Sequence, residues 1–479
     1  MHQSYFTLML TAVVLLVAAN IHEVAVASPQ LKEGSLAGSW QGVLSGPWGS
    51  LRIVFNIKAN AERGYTTTLD SPDQGAFGIP ADSVSVRDSL IRIRVASIAG
   101  AFDGVHLPGA DSITGTWSQG GGRFSLVLKY SLKEVEPPKR PQEPKKPLPY
   151  RDEEITFRNA EAGITLAGTF TYLPSGGPFP AVVLITGSGP QDRDETVFAH
   201  KPFLILSDYL TRQGIAVLRF DDRGIGKSTG NFRKATSLDF AGDVKAAVAY
   251  LSTRKEVRAD RIGLIGHSEG ATIAPMVAAE TEKVAFIVMM AGTGVPGEDI
   301  IHEQASLIGL AMGQSQKEVK HADDIRRKIF TLIESGRDSA AVAPELRALL
   351  LLSADSTARK DTQAISASVN AQIAQFTSPW LRYFLTYDPR PTLKKVRCPV
   401  LAVAGEKDLQ VSPKQNLPEI EAALHAGGNT DVTIRELPGL NHLFQPATKG
   451  TPDEYGKIEE TISPIALKMI GDWILEKRK

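Results

Sequence analysis

The chain carries two rhythms of apolar and polar positions, one after the other. From about residue 35 to 132, apolar side chains recur at every second position, as in 51–57 (LRIVFNI), 89–95 (SLIRIRV) and 124–130 (FSLVLKY). Clusters of Gly, Pro, Asp and Ser separate these runs, 70–75 (DSPDQG) among them. A period of two over strand lengths, with turn residues between, predicts a small all-β domain at 28–132, an antiparallel barrel or sandwich. Residues 133–149 are proline-rich (EVEPPKRPQEPKKPLP over 134–149). Proline fixes φ and removes amide donors, so this piece is expected to be an extended, semi-rigid linker.

From Tyr150 the rhythm changes to strands alternating with helices. Residues 155–157 and 164–172 predict an opening hairpin. Apolar runs at 181–185, 215–220, 262–265, 284–290, 399–404 and 432–437 predict buried strands. Helical spacing fills 201–213, 238–254, the segment after residue 270, and 463–477. Repeated β-α units imply a doubly wound, mostly parallel sheet covered on both faces, over 150–479. Roughly a hundred residues between Met290 and Pro399 break that rhythm, with helical content and no good strand; a simple crossover needs far fewer. This stretch predicts a helical cap, at about 297–390, over the strand ends where such sheets bind ligands.

Composition narrows the function. The chain has 479 residues, 42% hydrophobic and 22% charged, which suits a globular protein of two or more domains. Formal net charge is zero, so no basic field recruits nucleic acid or an anionic membrane. A lone cysteine, Cys398, precludes an intrachain disulfide. At the N-terminus, residues 8–19 (LMLTAVVLLVAA) are apolar but short for a bilayer, and Ala25-Val26-Ala27 offers a small-x-small cleavage pattern. No Lys or Arg precedes the run. Together these predict a signal peptide at 1–27 and a secreted or periplasmic protein with no stable membrane insertion after cleavage.

The chemistry centres on Gly266-His267-Ser268-Glu269-Gly270, between a predicted strand and a predicted helix. A serine on such a turn is exposed above the sheet, and its neighbours two residues away must be small because strand and helix converge there. The helix N-terminus offers unpaired N–H groups to a developing oxyanion. A serine nucleophile also needs a base and an orienting acid. In the order Ser…Asp…His these fall at Asp408, where the strand ending Ala402-Val403-Ala404-Gly405 enters a polar turn, and His442, in the loop after 432–437. Glu406, Glu298 and Asp299 compete with Asp408. His267 flanks the serine and is expected to be structural. The oxyanion hole is expected to use the backbone N–H of Glu269 and that of Ser188 in Thr186-Gly187-Ser188-Gly189, where Gly187 and Gly189 let the backbone approach substrate closely. Gly226-Lys227-Ser228 lacks the leading glycine of a phosphate loop, which Asp221 replaces. No metal or organic cofactor is called for.

Residues about 150–479 resemble the α/β-hydrolase superfamily, especially bacterial carboxylesterases and serine aminopeptidase-like hydrolases. The motifs that carry this are GHSEG (266–270), DDRGIGKS (221–228), TGSGPQDRDE (186–195), GEKD (405–408) and GLNH (439–442), in the family's order. The resemblance implies Ser268 as nucleophile, Asp408 as acid and His442 as base, with 221–228 a structural loop beside the site. Thr186 stands where many members have histidine. The all-β domain, with Trp40 and Trp117 near its ends, loosely resembles small lipocalin-like barrels. The expected function is an exported serine hydrolase that cleaves small-molecule carboxylic esters of short to medium acyl chain. An aminopeptidase or amidase is the alternative, with Asp323-Asp324 in the cap as a candidate for an α-amino group. A non-catalytic ligand-binding protein is the contrasting class. Oligomeric state is not legible in the sequence.

Overall fold

The computed structural model describes residues 36–46, 49–60, 64–74, 76–107, 109–119, 122–132, 139–353, 369–370 and 372–477. The expected signal peptide lies outside the described residues, as do residues 133–138 of the expected linker. Contacts divide the chain into two compact units. One runs to Lys139 and takes in Arg337–Phe376; the other comprises Arg140–Gly336 and Thr377–Lys479.

The first unit holds nine antiparallel strands, β1 (Gly38–Gly46), β2 (Gly49–Ala59), β3 (Tyr65–Ser71), β4 (Ala76–Pro80), β5 (Ser83–Arg87), β6 (Leu90–Val95), β7 (Gly100–His106), β8 (Ser112–Gln119) and β9 (Gly122–Ser131). They form one sheet in the order β4-β3-β2-β1-β9-β8-β7-β6-β5. β2 and β7 are four strand spacings apart, about 19 Å along a flat sheet. Yet the rings of Phe55 on β2 and Phe102 on β7 lie 5.7 Å apart. The sheet therefore curls around its own core, and the barrel form of the expectation holds over the two-sheet sandwich. Trp40, Phe55, Phe102 and Trp117 fill the interior, all fully buried.

The second unit is built on an eight-stranded sheet. Its strands are β10 (Arg151–Asn159), β11 (Ile164–Tyr172), β12 (Phe179–Ile185), β13 (Ala216–Phe220), β14 (Val257–His267), β15 (Val284–Met290), β16 (Val400–Gly405) and β17 (Val432–Leu437). The order is β10-β11-β13-β12-β14-β15-β16-β17, antiparallel in the opening hairpin and parallel from β13 onward. Alternate residues of β12 feed opposite cores. Ala181, Val183 and Ile185 pack with helices α2 (Ser237–Leu251) and α3 (Glu269–Ala278). Val182 and Leu184 pack with α1 (Pro202–Arg212) and the final helix Pro464–Glu476. Burial on both faces is why these strands read as continuous apolar runs. Pro275 lies inside α3 without ending it.

One expectation is revised. The helices between β15 and β16 fall into both units: α4 (Gly297–Ala311), α5 (Gln316–Glu334) and the helix Pro379–Thr386 belong to the second, and α6 (Ser339–Ser353) to the first. The expected cap at 297–390 is thus not one body. Residues of the expected linker from Arg140 onward pack within the second unit. The Arg140 guanidinium donates to the carbonyls of Phe198, Ala199, Gly456 and Ile458, and Gln142 brackets Thr461 and Ile462. A planar fork of five N–H donors satisfies several loop carbonyls at once, which prolines alone do not foretell.

Candidate active site

Ser268 is the N-cap of α3, with φ 55° and ψ −115°. A non-glycine residue there is strained by about 1–3 kcal/mol and is held by its surroundings. The flanking glycines show what holds it. A Cβ on Gly266 would lie 2.0 Å from the Gly270 carbonyl oxygen, and one on Gly270 would lie 2.1 Å from that of Ile185. The Ser268 N–H donates to the Met290 carbonyl at 2.8 Å, fixing the turn to β15.

The loop after β12 passes directly beside this serine. A Cβ on Gly187 would lie 3.3 Å from Ser268 Cβ. Both oxygens of Asp222 close the loop: Oδ1 accepts from Thr186 Oγ1 at 2.8 Å and Oδ2 from the Gln191 N–H at 2.9 Å. Burial pushes the Asp222 carboxyl well above the usual carboxylate range. Gly187 does not offer its N–H outward, because that group donates to Glu195 Oε1 at 2.7 Å. The Ser188 N–H has no partner among the described residues, and Gly189 supplies the positive φ, 105°, that the turn requires. Glu269 is the first residue of α3, where backbone N–H groups lack intrahelical acceptors.

Asp408 and His442 meet at the ends of β16 and β17. His442 Nδ1 lies 2.8 Å from Asp408 Oδ2, and both side chains are buried. Asp408 Oδ1 accepts from the N–H groups of Gln410 and Val411, which orients the carboxylate. Its competitors are elsewhere. Glu406 accepts the Gly439 N–H, and Glu298 and Asp299 sit in the first turn of α4. No hydrogen bond joins Ser268 Oγ to His442 among the described residues. The two are linked through His267: its Nε2 lies 2.9 Å from the His442 carbonyl oxygen, and the two imidazoles are 4.9 Å apart.

Several participants went unassigned from sequence. Glu195, in the quoted TGSGPQDRDE motif, receives both the Gly187 N–H and His267 Nδ1, the latter at 2.9 Å. Burial alone would push His267 toward neutrality; the Glu195 carboxylate, the His442 carbonyl and the Asp408 charge together outweigh it and raise the imidazole above its ordinary value. The Glu269 side chain turns away from the serine and accepts from Ser237 Oγ at 2.6 Å and Trp380 Nε1 at 2.7 Å. Burial raises its carboxyl. Beside the serine, a cleft is lined by Gly187, Phe220, Phe240, Val244, Glu269 and Ile273. The loop 221–228 is structural. Asp221 holds Arg193 at 2.9 Å and accepts the Lys227 N–H, and Arg219 pairs with Asp194. The Asp192-Arg193-Asp194 run therefore ties the loop to the sheet edge. In α5, Asp323 is already engaged by His302, Arg326 and Arg327.

Comparison with known proteins places the chain. It is 28% identical over 315 residues to esterase EstD of Thermotoga maritima, covering 65% of this chain and 64% of that protein. The chain thus spans less than two thirds of that relative's length. It is 32% identical over 124 residues to protein YfhR of Salmonella typhimurium, 26% of this chain and 39% of that protein. A solved structure of the Pyrococcus furiosus esterase Pf2001 has a TM-score of 0.41 at 16% identity, covering 72% of this chain and 97% of that one. The family model described as Hydrolase_4, serine aminopeptidase S33, matches residues 202–445, from the start of α1 past His442. With this match and an α/β-hydrolase sheet carrying a serine elbow, the chain belongs to the serine aminopeptidase S33 family of α/β-hydrolases.

Proposed function

We propose that the protein is a serine esterase that cleaves small carboxylic esters through Ser268, His442 and Asp408. The observation that carries this is the strained Ser268 elbow, set against the Gly187 loop and beside the hydrogen-bonded His442–Asp408 pair. His442 Nε2 takes the Ser268 proton as Oγ attacks the acyl carbon. The N–H groups of Glu269 and Ser188 receive the oxyanion. His442 then passes its proton to the leaving alcohol, and water, activated by the same imidazole, releases the acid. The cleft beside the serine mixes the apolar side chains of Phe220, Phe240, Val244 and Ile273 with the carboxyls of Asp222, Asp243 and Glu269, and the acyl length it takes is what graded ester substrates measure. The esterase name of the Thermotoga relative favours the same chemistry.

An aminopeptidase, the activity in the family's name, needs an anion for the substrate's α-ammonium. Of the pair expected for that task, Asp323-Asp324, Asp323 is already engaged by two arginines and His302, which weighs against it. The apolar run at 8–19 and the Ala25-Val26-Ala27 pattern support export to the periplasm or medium. The test is hydrolysis of p-nitrophenyl esters of graded chain length by wild type and Ser268→Ala, with fluorophosphonate labelling alongside. Turnover and labelling that both vanish in the variant support the proposal. Ester turnover that survives Ser268→Ala removes it.

A further inference from the structure

We propose that His267 is a fixed imidazolium, a buried cation that Glu195 holds beside His442 to oppose protonation of the base. The argument rests on what each ring nitrogen faces. Nε2 lies 2.9 Å from the His442 carbonyl oxygen, which is only an acceptor. Nδ1 lies 2.9 Å from Glu195 Oε1. That same oxygen accepts the Gly187 N–H at 2.7 Å. With Glu195 a carboxylate, both nitrogens face acceptors and both donate. A neutral imidazole carries one N–H and would set a bare nitrogen lone pair against an oxygen lone pair, in a site where His267 and Glu195 are 6% and 3% exposed. The carboxylate and the imidazolium each keep a second, neutral partner, Gly187 and the His442 main chain, so the buried pair is fully hydrogen-bonded.

The placement gives the charge a task. His267 immediately precedes the serine, and its ring is 4.9 Å from that of His442. The charged and titratable groups facing it are Glu195 from the loop after β12, His442 from the loop after β17 and, through His442, Asp408 from the loop after β16. Apolar groups, Phe444 at 6.3 Å and Met290 and Leu443 among them, make up the rest of the surroundings. A cation there disfavours a second cation on the base and favours negative charge developing at the serine. His267 and Glu195 touch no reacting atom; they are positioning residues.

The first measurement is nitrogen NMR of the full-length protein labelled in histidine. Comparison with His267→Gln assigns the signal. The expected result is a ring with both nitrogens protonated at pH 7, and one that loses a proton more readily in Glu195→Gln. A His267 with one bare nitrogen at pH 7 overturns the charge. The second measurement is the pH dependence of kcat/KM, and this arm rests on the serine esterase reading. In folded His267→Gln and in Glu195→Gln the acid limb moves to higher pH by about one unit, because the base protonates more readily without its cationic neighbour. A purely packing role lowers the rate and leaves the limb in place, so an unmoved limb overturns the role. A wild type without ester turnover counts against the esterase reading alone, and the NMR result still decides the charge.

Discussion

Asp408→Asn is the sharpest test of the proposed triad, because the structure fixes how the new side chain must sit. Asp408 Oδ1 accepts two backbone N–H groups, from Gln410 at 2.8 Å and Val411 at 2.9 Å. Both are donors, so the amide oxygen of the asparagine takes that position. The amide NH2 is then pinned where Oδ2 now stands, 2.8 Å from His442 Nδ1. Nδ1 must become an acceptor, and the ring proton moves to Nε2, the nitrogen that has to receive the Ser268 proton. The wrong tautomer costs about 10³- to 10⁴-fold in kcat, and the missing anion no longer stabilises the imidazolium. The fold should suffer modestly, since the three hydrogen bonds survive but turn from charge-assisted to neutral, about 1–3 kcal/mol together. Urea titration and steady-state ester hydrolysis measure both sides. Glu406→Gln is the control; that carboxylate is exposed and serves only the Gly439 N–H, so kcat should change less than about threefold. A folded Asp408→Asn protein retaining more than about a tenth of wild-type kcat would refute the tautomer argument, which calls for a loss of about 10³.

Three further outcomes follow from the same geometry. Gly266→Ala places a Cβ 2.0 Å from a helix carbonyl that cannot move alone, so about 1–3 kcal/mol of stability should be lost and ester turnover should fall about 100-fold; a fully active, equally stable variant in thermal melts and kinetics contradicts this. Burial, with the Arg140 charge adding to it, pushes His200 down to about 4 from an ordinary 6.5. Between those pH values the unfolded chain takes up a proton that the folded one refuses, so stability is lost as pH falls from 6.5 to 4, about 3 kcal/mol for this fully buried group. The stability gap between wild type and His200→Gln should shrink by that amount in urea titrations at pH 7 and pH 4, whereas a gap independent of pH contradicts it. Trp380→Phe removes one of two donors to the buried Glu269 carboxyl and should cost about 1–2 kcal/mol, read by thermal unfolding; Ser237→Ala should do the same, and no loss in either shows that the carboxyl needs neither donor.

The parts of this protein legible in sequence are those whose constraint is local. The elbow requires small residues at 266 and 270 because backbone meets backbone there, and no tertiary knowledge is needed to see it. The β-α rhythm is legible because each strand of the parallel sheet is buried on both faces, and Asp408 and His442 follow strands as the fold's chain order demands. Alternation in residues 35–132 could not separate barrel from sandwich, since both bury every second side chain; the ring contact between Phe55 and Phe102 decides it. Proline content described the linker's stiffness and missed Arg140, whose four carbonyl acceptors come from segments about 60 and 320 residues away. Glu195–His267 and Trp380–Glu269 were missed for the same reason, being 72 and 111 residues apart with no periodicity to announce them.

Those unannounced contacts explain how the strain at the site is sustained. Ser268 at φ 55° and Glu195 at φ 52° are both non-glycine residues in the left-handed region. Strain of about 1–3 kcal/mol at each would relax if either turn were free to open. Neither is free. Glu195 grips the Gly187 N–H and His267 with a single oxygen, and His267 grips the His442 main chain. The loop after β12, the elbow after β14 and the loop after β17 are thus joined end to end through one carboxylate and one imidazole. A hydrophobic core can set the height of three loops, and Phe444 packs beside His267, but apolar contact is non-directional and cannot by itself fix their lateral spacing. A hydrogen-bonded charge pair can, and it does so without filling the cleft that a substrate must enter. That is the physical case for a Glu–His pair here rather than the better-packed apolar pair that stability alone would favour.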